Sequence, residues 1–211
     1  YVEADGPNVA LATLCMIEAR NAAGTNSFQA EVVRVDPDGV VLSPFEQGLS
    51  TFSGAVVTAS PQTGNTVPVG EALLGRVVDP LGRPIDGADE PRAVRYAPMA
   101  GIIAAPLERT SPDQMLETGI RSIDGLLTLA VGQRIGIFAA SGVGKTILMS
   151  QLARQIDADI YIICLVGERG REVEAIWSQG LDARARAKTT LVAATSDQTA
   201  AMRVRAGHYA L

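Results

Sequence analysis

An apolar run that passes through small residues into Gly-Lys-Thr is compatible with few folds, and this chain carries one at Arg134–Thr146, RIGIFAASGVGKT. The pattern predicts a strand over Arg134–Ala139, a loop over Ala140–Gly144 and a helix opening at Lys145 and Thr146. Small loop residues leave backbone N–H groups facing inward with no side chain in the way of a phosphate. The helix N-terminus adds free N–H groups and the positive end of its dipole. Lys145 is placed to reach outer phosphates, and the Thr146 hydroxyl to ligate Mg²⁺. The common phosphate-loop pattern begins with Gly, and here that position is Ala139, which fits provided its φ stays negative.

The rhythm around this stretch separates the chain into two parts. Up to about Val69 short alternating runs, Leu11–Ala19, Gln29–Val35, Val40–Ser43 and Gly54–Ala59, are broken by turn clusters at Asn21–Asn26, Asp36–Gly39 and Ser60–Asn65. They predict a small closed β-barrel or meander, an N-terminal β-barrel domain over residues 1–70. Pro68-Val69-Gly70 reads as the boundary, Leu74–Gly87 as tight turns, Ala97–Asp113 as extended surface chain and Leu116–Leu129 as holding a short helix. Beyond Gly132 strand and helix alternate: helix over Lys145–Gln155, a central strand over Ile160–Val166, helix over Glu172–Gln179, strand over Thr190–Ala194, and a last helix capped by Ser196 or Asp197. This makes residues 71–211 an α/β domain with a parallel sheet and ligands at the carboxyl ends of its strands. The chain stops at Leu211 within the last helix pattern, so it reads as a fragment whose sheet continues.

Composition narrows the function classes. A hydrophobic content of 47% supports a packed core, with only 4% aromatic residues. The formal net charge of −5 argues against a protein whose main work is gripping nucleic acid. Cys15 and Cys164 lie in apolar runs and read as buried thiols of a reducing compartment, and the lone His208 cannot build a metal site by itself. No apolar run approaches the roughly 20 residues that span a bilayer.

A second chemical motif, Gly167-Glu168-Arg169-Gly170-Arg171-Glu172, follows the second core strand. The carboxyl-end rule puts Glu168 on the same sheet edge as the phosphate loop, where a carboxylate can orient water toward a terminal phosphate. Arg169 is a candidate for phosphate contact or for steering Glu168, and Glu172 for holding waters around Mg²⁺. The competing reading is a solvated charge run at a helix N-terminus.

Together, Ala-Ser-Gly-Val-Gly-Lys-Thr and Gly-Glu-Arg-Gly-Arg-Glu-Val resemble the hexameric ATPases of flagellar and type III protein export, relatives of the catalytic subunit of rotary ATP synthases. LLGRVVDPLGRPIDG, PLERTSPDQMLETGIRSIDGLLTLAVGQRIGIFA and ATSDQTAAMRVRA fit as well. Ala139 and Gly170 match the export branch, where synthase catalytic subunits usually have Gly and Thr. The resemblance implies a partial RecA-like P-loop domain that binds ATP through Ser141, Gly142, Val143, Gly144, Lys145, Thr146 and Ile147. It implies Mg²⁺ held by Thr146 and, through water, Glu172, with Glu168, Arg169 and Lys145 in catalysis. It further implies a homo-oligomeric ring, a hexamer, in the cytoplasm and peripheral at the inner membrane export gate. Stalk or stator proteins and chaperone–substrate complexes would be its partners, and nucleic acid would not. A metal-site Asp, an arginine finger and a C-terminal domain would lie beyond Leu211, leaving the chain inactive by itself.

Other readings stay open at this stage: a rotary ATP synthase or pump subunit with the same core chemistry, an RNA-translocating ring, and a non-catalytic nucleotide-binding subunit. Acidic charge and few aromatics in Tyr1–Val69 weigh against RNA. The presence of Glu168 weighs against the last.

Overall fold

Alternating burial shapes the first part of the chain. The computed structural model describes residues 2–4, 9–21, 24–48, 54–60, 66–92, 95–101, 105–108, 111–140 and 142–211. Strands β1 (Val2–Ala4), β2 (Leu14–Asn21), β3 (Gly24–Asp36), β4 (Gly39–Pro44) and β5 (Val56–Ala59) form one antiparallel sheet in the order β1-β4-β3-β2-β5. Phe28, Ala30 and Val32 of β3 point to one face and pack with Cys15 and Ile17 of β2 and with Val40 and Leu42 of β4. A bulge between Val32 and Arg34 shifts the β3–β4 register.

The predicted closed barrel is not found among the described residues. Strands β1 and β5 are the two edges of the sheet and do not pair with each other. Closure needs a ladder between the edges, and these two strands are only three and four residues long. The turn expected at Asn21–Asn26 is tighter than the sequence suggests, since β3 already begins at Gly24. Residues 61–65 of the Ser60–Asn65 cluster lie outside the described residues.

Strand β6 (Thr66–Val69) takes Pro68 and Val69 of the expected boundary into a ladder. Strand β7 (Arg76–Val78) lies inside the stretch expected to form tight turns among strand-like Val and Ile residues, and β8 (Arg95–Pro98) pairs antiparallel with β6. Asp86 fastens the turn behind β7, accepting from Arg76 Nε at 2.7 Å and from the backbone N–H groups of Val77 and Ala88 at 3.1 Å each. Next come β9 (Met115–Leu116), α1 (Arg121–Leu126) and β10 (Leu129–Ala130), with β10 antiparallel to β9.

The remaining elements are α2 (Lys145–Gln155), β11 (Tyr161–Val166), α3 (Gly170–Ala175) running into a π-turn (Ile176–Gly180), α4 (Ala183–Ala187), β12 (Thr189–Ala194) and α5 (Ala200–Ala210). A parallel sheet forms in the order β11-β12-β7. Strand β12 is therefore the central one, and β11, expected to be covered on both faces, is an edge with Ile162 59% exposed. Val173 and Ile176 cover one face of the sheet, against Val77, Leu165, Leu191 and Ala193. Ala206 of α5 covers the other, with Leu73, against Val78, Val192 and Ala194. Burying a side chain such as Leu191 stabilises by about 2 kcal/mol. Leu14, Phe45 and Met202 make a further cluster, which joins the antiparallel sheet to α5.

The strand predicted at Arg134–Ala139 does not form. Residues 133–140 are exposed and make no ladder. A strand exists only with a hydrogen-bonded neighbour, and no described segment runs alongside this one.

Candidate functional site

Two glycines set the entry to α2. Gly142 and Gly144 have φ of 80° and 100°, left-handed values that cost any residue with a Cβ. Among the described residues Ala12 is the only non-glycine with positive φ, so Ala139 occupies the first loop position without that strain. Lys145 and Thr146 open the helix as expected. Ser141 lies outside the described residues. Val143 and Ile147 are both 65% exposed at this end of the helix.

The second motif arrives from the parallel sheet. Strand β11 ends at Val166, and Gly167, with φ 77°, turns the chain while its N–H donates to Ala194 O at 2.7 Å. Glu168 follows immediately. Arg169 is the N-cap residue of α3, and its carbonyl accepts from Glu172 N at 2.8 Å and Val173 N at 3.2 Å. Its side chain is exposed.

Close packing of α2 on the π-turn brings the two motifs together. A Cβ on Gly180 would stand 2.7 Å from Ser150 Oγ, a separation only glycine permits without displacing Ser150. The result is a cavity of about 290 Å³ lined by Thr146, Ile147, Ser150, Glu168, Glu172 and Gln179 among others. Lys145 and Arg169 do not line it. A larger cavity of about 520 Å³ opens between the antiparallel sheet and α5, beside Glu31, Val33, Val204 and His208, away from either motif.

Electrostatics mark the smaller cavity. A hydrogen bond with Glu172 raises the pKa of Glu168, burial and the charge of Glu172 raise it further, and Lys145 opposes them. The two carboxylates thus crowd one space, and Glu168 holds its proton more tightly than it would in water. A cation or a water molecule with a proton to give relieves that crowding.

Among the described residues no group of three or more His, Cys, Asp or Glu side chains gathers to hold a metal by itself. Two hydroxyls, of Thr146 and Ser150, and two carboxylates in one cavity do supply hard oxygen donors, the kind that bind Mg²⁺ jointly with phosphates and water. Sequence reasoning missed Ser150, Ile176, Gln179 and Gly180 as lining residues. Ser150 follows Thr146 by one helical turn and was readable in principle. Gln179 was not, because the π-turn alters the helical spacing.

Residues 119–211 match the sequence model of the ATP synthase alpha/beta family, nucleotide-binding domain. Over 209 residues the chain is 39% identical to the flagellum-specific ATP synthase of Bacillus subtilis, covering 99% of this chain and 47% of the relative. It is 40% identical to the type 3 secretion system ATPase of Xanthomonas euvesicatoria over 205 residues, 96% of this chain and 45% of the relative. The assembled ATPase EscN of the enteropathogenic E. coli type III secretion system superposes with a TM-score of 0.85 at 35% identity, covering 99% of this chain and 49% of that one. EscN in complex with its central stalk EscO gives a TM-score of 0.84 at 35% identity, with 99% and 50% covered. The chain spans about half the length of the curated relatives it matches. Among the described residues no helix is long and apolar enough to cross a membrane.

Proposed function

We propose that this chain, similar to flagellum-specific and type III secretion ATPases and matching the nucleotide-binding domain of the ATP synthase alpha/beta family over residues 119–211, supplies the ATP-hydrolysing site that energises protein export. The observation that carries this reading is the shared cavity: Thr146, from the phosphate loop, and Glu168 and Glu172, from the second motif, line the same space.

In the proposed site Ser141–Ile147 cradle ATP, and the N–H groups at the start of α2 hold its phosphates. Lys145, exposed at the mouth, adds a positive charge for the outer phosphates. Thr146 and, through water, Glu172 would hold Mg²⁺, which when bound neutralises phosphate charge. Glu168 orients a water in line with the γ-phosphate and takes its proton as the water oxygen bonds to the γ-phosphorus; the bond from that phosphorus to the β–γ bridging oxygen breaks, and ADP leaves with the electron pair. Its pKa is raised by Glu172 and by burial, the direction that strengthens a carboxylate as a base. Arg169 stands beside Glu168 and acts on phosphate only after its exposed side chain turns inward.

Residues 1–70 form the β-rich domain in this reading and 71–211 the RecA-like nucleotide-binding domain. The working state is a homo-oligomeric ring that contacts a stalk, a reading supported by the similarity to the assembled ATPase EscN and to EscN in complex with its central stalk EscO. It acts in the cytoplasm, peripheral at the membrane export gate, on chaperone–substrate complexes. The test is nucleotide binding and hydrolysis by the full-length protein. Wild type binds and hydrolyses MgATP, and Lys145→Ala weakens binding by at least tenfold. Unchanged binding in Lys145→Ala contradicts the phosphate-loop assignment.

A further inference from the structure

The loop after β12 touches both the second motif and the antiparallel sheet. Ser196 N–H donates to the carbonyl of Glu168 at 3.0 Å. One residue on, Asp197 O accepts from Gln47 Nε2 at 2.7 Å. Thr199 Oγ1 donates to Phe45 O at 3.3 Å and also caps α5, accepting from Met202 N at 3.4 Å. Behind these contacts Phe45 and Leu14 of the sheet region pack on Met202 of α5. The loop 195–199 is thus pinned on one side to residues 45–47 and on the other to the backbone of Glu168.

We propose that Gln47 and Thr199 are positioning residues for hydrolysis: through the loop 195–199 they fix the backbone of Glu168 against the N-terminal sheet. The proposal rests on the reading of Glu168 as the water-orienting carboxylate. Its physical basis is the shortness of the path. Glu168 lies beyond the last β11–β12 pair, Val166 with Ala194, so strand pairing no longer holds it. Only the Gly167 N–H to Ala194 O bond and the Ser196 N–H to Glu168 O bond continue the ladder past that point. A loop free to shift would carry Glu168 with it, and water orientation is sensitive to displacements of a fraction of an ångström. The link also gives the N-terminal sheet a route to the chemistry, since any movement of residues 45–47 is transmitted to Glu168.

The variants separate the link from the fold. Gln47→Glu keeps the shape of the side chain and removes its N–H donor. Thr199→Asp keeps an acceptor for the α5 cap and removes the hydroxyl donor to Phe45. Thr199→Ser keeps both. In the full-length protein, kcat for MgATP is measured per nucleotide-bound site, together with KM. The double variant Gln47→Glu/Thr199→Asp is expected to lose about threefold to tenfold in kcat, the effect of roughly one hydrogen bond, with KM unchanged. Thr199→Ser is expected to stay near wild type. In a Glu168→Gln background the double variant is expected to cause no further loss in single-turnover rate. Should the double variant fail to fold, Gln47→Glu alone, at an exposed side chain, carries the same measurement. Wild-type kcat per site in the link variants, beside a crippled Glu168→Gln, overturns the positioning role alone. Full turnover in Glu168→Gln overturns the reading of the site, and the positioning role with it.

Discussion

At the residue scale, two carboxylates do opposite things. Glu168 shares its space with Glu172 and is held toward its protonated form. Asp86 receives Arg76 and two backbone N–H groups, which hold it ionised. The Arg76 hydrogen bond is the main reason that its pKa falls from 3.8 to about 2. The two side chains are 17% and 12% exposed, so little solvent screens the pair. A carboxyl lowered in the folded state stabilises it above its unfolded value, and that stabilisation fades as pH falls from about 4 to 2. The gap is worth roughly 2 kcal/mol at neutral pH, as an upper figure. Asp86→Asn is expected to lower stability by about that amount at pH 7 and by almost nothing at pH 2, measured by urea titration at both pH values. Equal losses at the two pH values would show that shape, not charge, is what Asp86 contributes.

At the element scale, the meeting of α2 and the π-turn decides whether the two motifs share a cavity. Gly180 is the point of closest approach. Gly180→Val is expected to push Ser150 and the first turns of α2 away from Glu172, weakening MgATP affinity by about tenfold and stability by about 1–3 kcal/mol. Unchanged nucleotide affinity would mean that the packing does not set the site. These elements differ in how far the sequence discloses them. Helix α2 has the span its apolar spacing and glycine-rich entry predict, Lys145 to Gln155. Strand β12 is legible as an apolar run, and begins one residue earlier than expected. Strand β7 is hidden because its three residues sit among Gly and Pro, whose turn signals dominate a short window. Helix α4 is five residues long and depends on the Asp182 cap, accepting from Ala185 N at 2.7 Å, more than on any periodicity. Thr199, not Ser196 or Asp197, caps α5, because the preceding residues are taken up by the loop that reaches Glu168. The carboxyl-end rule expects Glu168 on the edge of the phosphate loop, and Thr146 and Glu168 do line one cavity although the strand expected before that loop does not form; Gln47 carries no such signal, being 150 residues from the carbonyl that it contacts.

At the scale of the whole molecule, α5 ties the parts together. Arg205 is 3% exposed, and burial lowers its pKa against the opposing charges of Glu31 and Asp79. Its guanidinium donates to Pro80 O and to Thr66 O, each at 3.1 Å, and lies 5.9 Å from the centre of the Phe45 ring. One side chain thus touches the turn after β7, the start of β6 and the residue that follows β4 of the antiparallel sheet. Arg205→Met keeps most of the volume and leaves two carbonyls without this donor. It is expected to cost about 3 kcal/mol, read as a lower urea midpoint at unchanged slope. A flatter slope instead would show that the parts unfold separately. The predicted strand at Arg134–Ala139 fails at this scale too, since a strand is a property of a pair, and sequence alone cannot supply the neighbour. For the same reason the alternation in β2 to β5 could predict strands but not closure of their sheet.

The most direct measurement of the central claim is the turnover of Glu168→Gln in the full-length protein, with MgATP affinity determined on the same preparation. A carboxylate that orients water and takes its proton is worth about 10²- to 10⁴-fold. The expected result is a loss of at least 10²-fold in kcat with affinity within about threefold of wild type. Turnover within about twofold of wild type at unchanged affinity would contradict the hydrolytic role assigned to Glu168 and to the cavity that it shares with Thr146.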